Sequence, residues 1–226
     1  MKLDWRTEWP MWVLIVAMFA LAAYAWGGAP DRMPVHWGLS GQPDRWGGKF
    51  EALMLAPLIG LALYLVMTFM PRVDPGRANY PLFIRAYHSV RLLMLLFMTA
   101  MQVGLVLVAR GVAVDMATYV PLGTGALFVV LGNLLGKLRP NWFIGIRTPW
   151  TLSSKLAWTR THRAGGWMFI VLGLLLMGSS LARDPRVMTA MLVVMGAGIA
   201  GLAVYSYLVW RSDPDKTPPA GSTPAA

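Results

Sequence analysis

Six apolar runs constrain this chain more than any other feature of it. They cover residues 10–26, 52–70, 92–109, 116–135, 167–181 and 187–210. Each is close to the roughly 20 residues that a helix needs to cross a hydrocarbon core about 30 Å thick. Lipid offers no partner to a backbone N–H or C=O, so such segments must be helices that satisfy their own hydrogen bonds. The predicted fold class is all-α: a polytopic transmembrane helical bundle of about six helices. Composition agrees, with 57% of residues hydrophobic and 13% charged, where soluble domains hold about 45–50% apolar and about 25% charged residues. The fifth run is short and the fourth is rich in glycine, so these two helices carry the weakest signal.

Lysine and arginine are retained on the cytoplasmic side of a membrane, and they set the orientation. With the N-terminus inside, fourteen of the twenty basic residues fall on inner segments. The densest group, Lys137, Arg139, Arg147, Lys155, Arg160 and Arg163, lies between the fourth and fifth runs. Both termini are expected to be cytoplasmic, in a multi-pass protein of the bacterial cell (inner) membrane. Residues 28–50 then form an extracytoplasmic loop, and residues 137–166 a cytoplasmic one. The expected organisation is a two-helix unit over residues 1–70, a four-helix region over 84–210 and a disordered tail over 211–226, where Pro, Ala, Ser and Thr dominate. The first apolar run is long for a signal peptide, and Asp4 and Glu8 stand before it beside Lys2 and Arg6. It reads as an uncleaved helix.

The net charge of +10 has a sufficient account in this topology, because a basic residue near an anionic headgroup surface gains about 1 kcal/mol. Membrane lipids are expected partners. Nucleic acid is not, since the basic residues flank spans instead of forming a soluble patch. The absence of cysteine excludes disulfide scaffolds, thiolate metal sites and cysteine nucleophiles. Catalysis has little support: there is no Gly-x-Ser-x-Gly elbow, His-Glu-x-x-His pair, phosphate loop or close carboxylate pair, and Ser153 and Ser154 before Lys155 are better explained as a helix cap than as a nucleophile with its base. No cofactor is expected.

Two polar segments interrupt the apolar pattern. In residues 28–50, prolines and glycines surround His36, Trp37, Asp44, Arg45, Trp46 and Lys49, which predicts a compact, hairpin-like cap with an Asp–Arg pair and indoles at headgroup level. An interfacial lid with no ligand is the reading preferred for it over a binding cluster. The second segment is NWFIGIRTPWTL, residues 141–152, followed by Thr161, His162 and Arg163. Gly145 permits a close turn, and Thr148-Pro149 is expected to break any helix before Trp150. Ser153 or Ser154 then caps a short interfacial helix running to about Arg163. No acidic residue lies between Asp115 and Arg183, so the cations here face lipid phosphates, a partner's acids or acids elsewhere in the chain. Arg147 is placed to stack on Trp142 or Trp150. A lipid anchor and a specific binding site both fit this segment.

Together these segments resemble the SdpI family of bacterial membrane proteins. PVHWGLSGQPDRWGGK resembles the family's N-terminal domain of unknown function, with Pro34, His36, Gly41, Asp44, Arg45, Trp46 and Lys49 at its pattern positions. GNLLGKLRPNWFIGIRTPWTLSSKLAWTRTHRAGG resembles the family hallmark, which falls on Gly132, Asn133, Asn141, Gly145, Arg147, Thr148, Pro149, Trp150, Thr151, Leu152, Trp158, Thr161, His162 and Arg163. The resemblance implies immunity, that is, protection of the producing cell from a secreted toxic peptide met on the outer side. It also implies signalling by capture of a cytoplasmic regulator, a transcriptional repressor, on the inner side.

A transporter or channel for a small solute is the main rival. The six apolar runs hold no Asp, Glu, Lys or Arg in their interiors, where carriers commonly place ionisable groups. Glu51 is the nearest acid, and Gln102, Asn133 and Thr124 could line a neutral path or bond between helices. A three-histidine metal centre is excluded, since His36 is expected outside and His88 and His162 inside. Gly132–Gly136 and Gly196–Gly201 offer small-residue surfaces, read as packing within the chain ahead of dimerisation.

Overall fold

Each apolar run folds as a helix longer than the run itself, because flanking polar residues extend or cap the hydrogen-bonded ladder. The structure, a computed structural model, describes residues 4–38, 40–182 and 184–217. Its elements are α1 (Trp5–Trp26), β1 (Arg32–Trp37), β2 (Pro43–Gly48), α2 (Lys49–Val73), α3 (Tyr80–Ala109), α4 (Met116–Leu135), α5 (Pro149–Leu152), α6 (Lys155–Ala182) and α7 (Pro185–Arg211). All but α5 among these helices, six in all, are long and apolar enough to cross a membrane. Their outer faces carry exposed Val13, Ile59, Phe69, Val171, Val193 and Ile199, as a lipid-facing surface requires. The chain is a multi-pass all-α membrane protein.

Two expectations change with these boundaries. Residues 153–163 are not a separate interfacial helix: Ser154 Oγ accepts from Ala157 N (2.8 Å) and starts α6, which runs unbroken through the fifth apolar run. That run only looked short because its first turns are polar. Likewise α1 begins at Trp5 and α3 at Tyr80, which takes Glu8 and Arg91 into the packed interior, 5% and 2% exposed. The bundle therefore does contain buried ionisable groups, contrary to the reading of the apolar runs alone.

Helices α2 and α3 are joined by a device that depends on proline. Pro57 and Pro71 lie inside α2 and have no N–H to give to the carbonyl four residues back. Those carbonyls belong to Leu53 and Met67. Gln102 Nε2 donates to Leu53 O (2.9 Å) and Tyr87 Oη donates to Met67 O, both from α3. Each orphaned acceptor is thus satisfied from the neighbouring helix, as a lipid environment demands.

Helices α4 and α6 approach through glycine. A Cβ on Gly132 would lie 2.6 Å from Gly166 O, and one on Gly166 would lie 2.7 Å from Gly132 O. Gly125 and Gly173 repeat the arrangement one heptad away, at 2.6 Å each way. Gly132 therefore packs within the chain, while Gly136, Gly196 and Gly201 have nothing within 4 Å of a built Cβ.

β1 and β2 form an antiparallel hairpin at the end of the bundle shared with the α3–α4 and α6–α7 connections. At the opposite end lie the α2–α3 and α4–α5 loops and the last described residues. Of the expected tail, residues 218–226 lie outside the described residues. Residues before them are ordered: Asp213 Oδ2 accepts from Ser154 Oγ, and Thr217 N donates to Ser153 O (3.0 Å).

Candidate functional site

The end opposite the hairpin is organised around Asn141, 1% exposed. Its Oδ1 accepts from Phe143 N (3.0 Å) and Ile144 N (2.7 Å), and its Nδ2 donates to the carbonyls of Arg139 (2.9 Å) and Ile144 (3.0 Å). One amide thereby folds the whole turn. Gly145 follows at φ +113°, a conformation that favours glycine, and a Cβ there would strike His162 Nε2. That nitrogen accepts from Ile146 N (2.9 Å), so it carries no proton, and Nδ1–H donates to Trp158 O (2.8 Å). The imidazole is neutral and stacked on Trp158, with ring centroids 4.0 Å apart. With both nitrogens engaged, His162 is unavailable to a metal.

Thr148 and Pro149 begin a helix instead of breaking one. Thr148 caps α5 by accepting from Thr151 N (3.1 Å), while Thr151 Oγ1 accepts from Thr148 N (2.9 Å), a reciprocal capping box. Thr151 and Thr161 are buried. Trp158 Nε1 donates to Leu138 O (3.1 Å), and Trp150 meets Tyr207 of α7 edge-on at 5.3 Å. Most of the family-pattern residues at this end thus build a rigid knot.

Sequence reasoning missed the clasp beneath that knot. Asp74, 1% exposed, accepts from Gly76 N (2.6 Å), Tyr80 Oη (2.8 Å) and Trp142 N (3.2 Å). Asn79 Nδ2 donates to Pro140 O (2.7 Å). An Asp-Pro-Gly turn between two spans was the available signal, but nothing local says which distant backbone it holds.

The knot presents cations outward. Arg147 and Arg163 are exposed, as are Lys137, Arg139, Lys155 and Arg160. Among the described residues none of the six forms an ion pair. Arg147 Nη1 donates to Trp142 O (2.9 Å), so it uses that residue's carbonyl and not its ring. Pro149, Trp142 and Phe143 are exposed beside it. The surface is a rigid, basic and aromatic patch.

At the other end the hairpin carries the second set of residues. The expected Asp–Arg pair does not form. His36 Nδ1 meets Asp44 Oδ1 at 2.6 Å, Arg45 pairs with Glu51 at the start of α2, and Lys49 Nζ lies 3.3 Å from Asp31. Trp46 is half exposed. Successive residues of β2 point to opposite faces, which sends Asp44 and Arg45 to different partners. Gly41, at φ +76°, rests on Ala117 of α4 so closely that a Cβ would strike it.

Under the hairpin lies an apolar chamber of about 510 Å³, walled by α3, α4, α6 and α7. Five methionines line it: Met101, Met116, Met188, Met191 and Met195. The spacing of the last three on α7 was readable in the sequence. That three other helices and a hairpin border the same space was not.

Comparison with known proteins follows this division. Residues 137–207 match the SdpI/YfhL protein family, and residues 13–61 match a domain of unknown function, DUF1648. The chain is 24% identical over 197 residues to the Immunity protein SdpI of Bacillus subtilis (strain 168), an alignment covering 86% of this chain and 92% of that protein. No solved structure matches. The resemblance drawn from the two loop motifs holds for both halves of the chain.

Proposed function

We infer that this multi-pass membrane protein of SdpI type is an immunity protein: it protects the cell that makes it from a secreted toxic peptide. The hairpin end faces outward and meets the peptide. The patch around Arg147 and Arg163 faces the cytoplasm and passes the engaged state to a regulator. The supporting observation is that similarity to the Bacillus immunity protein runs through nearly the whole of both chains, so hairpin unit, bundle and basic patch are kept together. A knot that turns Arg147, Arg163, Trp142 and Phe143 outward suits partner recognition, since arginine and aromatic side chains anchor interfaces. The fourteen basic residues on inner segments support the orientation.

The test is replacement of the Bacillus immunity protein by this chain, followed by challenge with the toxic peptide. Cells should survive. Arg147→Ala should abolish protection while leaving membrane abundance unchanged, because its side chain is exposed and makes a single hydrogen bond. Full protection by that variant would remove the basic patch from the mechanism.

Transport of a small solute is the second reading, favoured by the buried Glu8–Arg91 pair, since ionisable groups inside a bundle commonly mark a translocation path. It requires solute flux into proteoliposomes, and absence of flux removes it.

A further inference from the structure

Met116 and Phe128, at the two ends of the first three turns of α4, both line the chamber beneath the hairpin. At 1.5 Å per residue they mark a slot about 18 Å long, parallel to the helices. Val35, Trp37 and Gly41 border its hairpin end, and Phe128, Leu172 and Met195 its deep end. Half of a hydrocarbon core about 30 Å thick is about 15 Å, so the slot reaches as deep as one leaflet.

Helix α3 packs on α4, α7 packs on α6, and α4 packs on α6. The slot therefore lies between α3 and α7, with the α4–α6 pair behind it. Its α7 wall lacks support from the protein. Among the described side chains of α7 only Ser206 and Val209 are buried, both in its last turns, so the half that carries Met188, Met191 and Met195 buries nothing.

We propose that the slot holds one acyl chain of a phospholipid from the leaflet on the hairpin side, wedged between α3 and α7. Among the described residues no Asp, Glu, Lys or Arg lines it. Two of its polar groups are bonded within the protein: Tyr119 Oη donates to Ala100 O, and His36 Nδ1 is held by Asp44. What an occupant meets is hydrocarbon and thioether, and methionine adapts to the shape of an apolar guest. An unfilled slot forfeits dispersion contacts on every side chain that lines it.

Size selects a lipid chain over a peptide helix. The slot holds about 510 Å³, whereas a helix at least 10 Å across and of the same length fills roughly 1,400 Å³. Polarity selects an amphiphile. At the hairpin end the slot adjoins a cleft of about 280 Å³ that shares Gly41, Ala117 and Met188 with it and adds the hydroxyls of Ser40, Ser179 and Ser180 and the amide of Gln42, beside the carboxylates of Asp115 and Asp184. Polar cleft above and apolar slot below follow the order of a phospholipid from its ester groups to its chain. The site stands apart from the immunity reading, since it depends only on the bundle crossing a membrane. Its consequence is a lipid wedge against α7, whose far end meets the knot through Ser206 at Thr148 (3.0 Å) and Tyr207 at Trp150.

The test uses the full chain in phosphatidylcholine nanodiscs doped with phosphatidylcholine that carries a photoreactive diazirine either near the ester or at the tail of one chain. The ester-proximal probe should label Met116 and Met188, and the tail probe Phe128 and Met195. Thr124→Trp should cut labelling of Met191 by about tenfold or more, because an indole takes space the chain would fill, while labelling of Val13 and Ile59 on the outer faces of α1 and α2 stays unchanged. The depth order in the unmodified protein keeps the test decisive if Thr124→Trp folds poorly. Native mass spectrometry of the detergent-purified chain should find one phospholipid retained per protein, and none on Thr124→Trp. Slot residues labelled no more than Val13 and Ile59, both probes labelling the same depth, or a peptide retained in place of the phospholipid would each overturn the proposal. So would a disulfide between two Met191→Cys copies in the membrane, which would put a second copy of the chain on this face.

Discussion

Glu8 and Arg91, 83 residues apart in sequence, meet as a two-pronged pair inside the bundle: Nη1 to Oε1 is 2.8 Å and Nη2 to Oε2 is 2.9 Å. Tyr64 Oη donates to the same carboxylate (2.9 Å), and Thr68 Oγ1 accepts from Arg91 (2.6 Å). The pair ties α1 to α3, and Tyr64 and Thr68 bring in α2. Two charges hold three helices.

Removing one partner leaves the other charge buried and unpaired, at a cost of about 3–5 kcal/mol, whereas replacing both by apolar side chains is often near neutral. Arg91→Met and Glu8→Leu should each destabilise the protein strongly, and the double variant should be less destabilised than either. Reversible unfolding in mixed micelles measures this. Additive losses would show that the pair does not act as a unit.

The proline-freed carbonyls give a sharper cycle. Gln102→Leu should cost about 0.6–1.7 kcal/mol, the measured scale of hydrogen bonds between membrane helices. In a Pro57→Ala background the helix supplies its own N–H to Leu53 O, and the same substitution should cost much less. Equal costs in both backgrounds would mean that Gln102 acts through packing and not through that carbonyl.

Within the family-pattern residues, two classes should separate. Gly145→Ala meets both the positive φ and the His162 ring, and should lower stability by about 2 kcal/mol or more. Arg163→Ala removes an exposed side chain that forms no ion pair among the described residues, and should leave stability within about 0.5 kcal/mol while impairing protection. Thermal unfolding beside the protection assay reads both.

Because the chain has no cysteine, single cysteines report topology without a background. Lys49→Cys should react with an impermeant maleimide in intact cells, and Ser153→Cys only after permeabilisation. The reverse pattern would exchange the proposed sensing and responding ends.

The sequence by itself determined the class and count of the helices, because a hydrocarbon solvent allows a long apolar segment little else than a self-bonded helix. Repeated prolines and glycines around residues 28–50 likewise announced a hairpin, and the 141–163 motif announced a structured polar segment at the other end of the bundle. Tertiary structure alone decided what those residues do. Asn141, Thr151, Trp158 and His162 looked like candidates for recognition, and the fold uses them as hydrogen-bond and packing partners. Glu8 and Arg91 looked like flanking charges and turned out to be interior. Helix periodicity reports which side chains share a face, but a buried ion pair, a carbonyl capped from the next helix and an apolar cavity lined by four helices depend on distances between segments that no local pattern encodes.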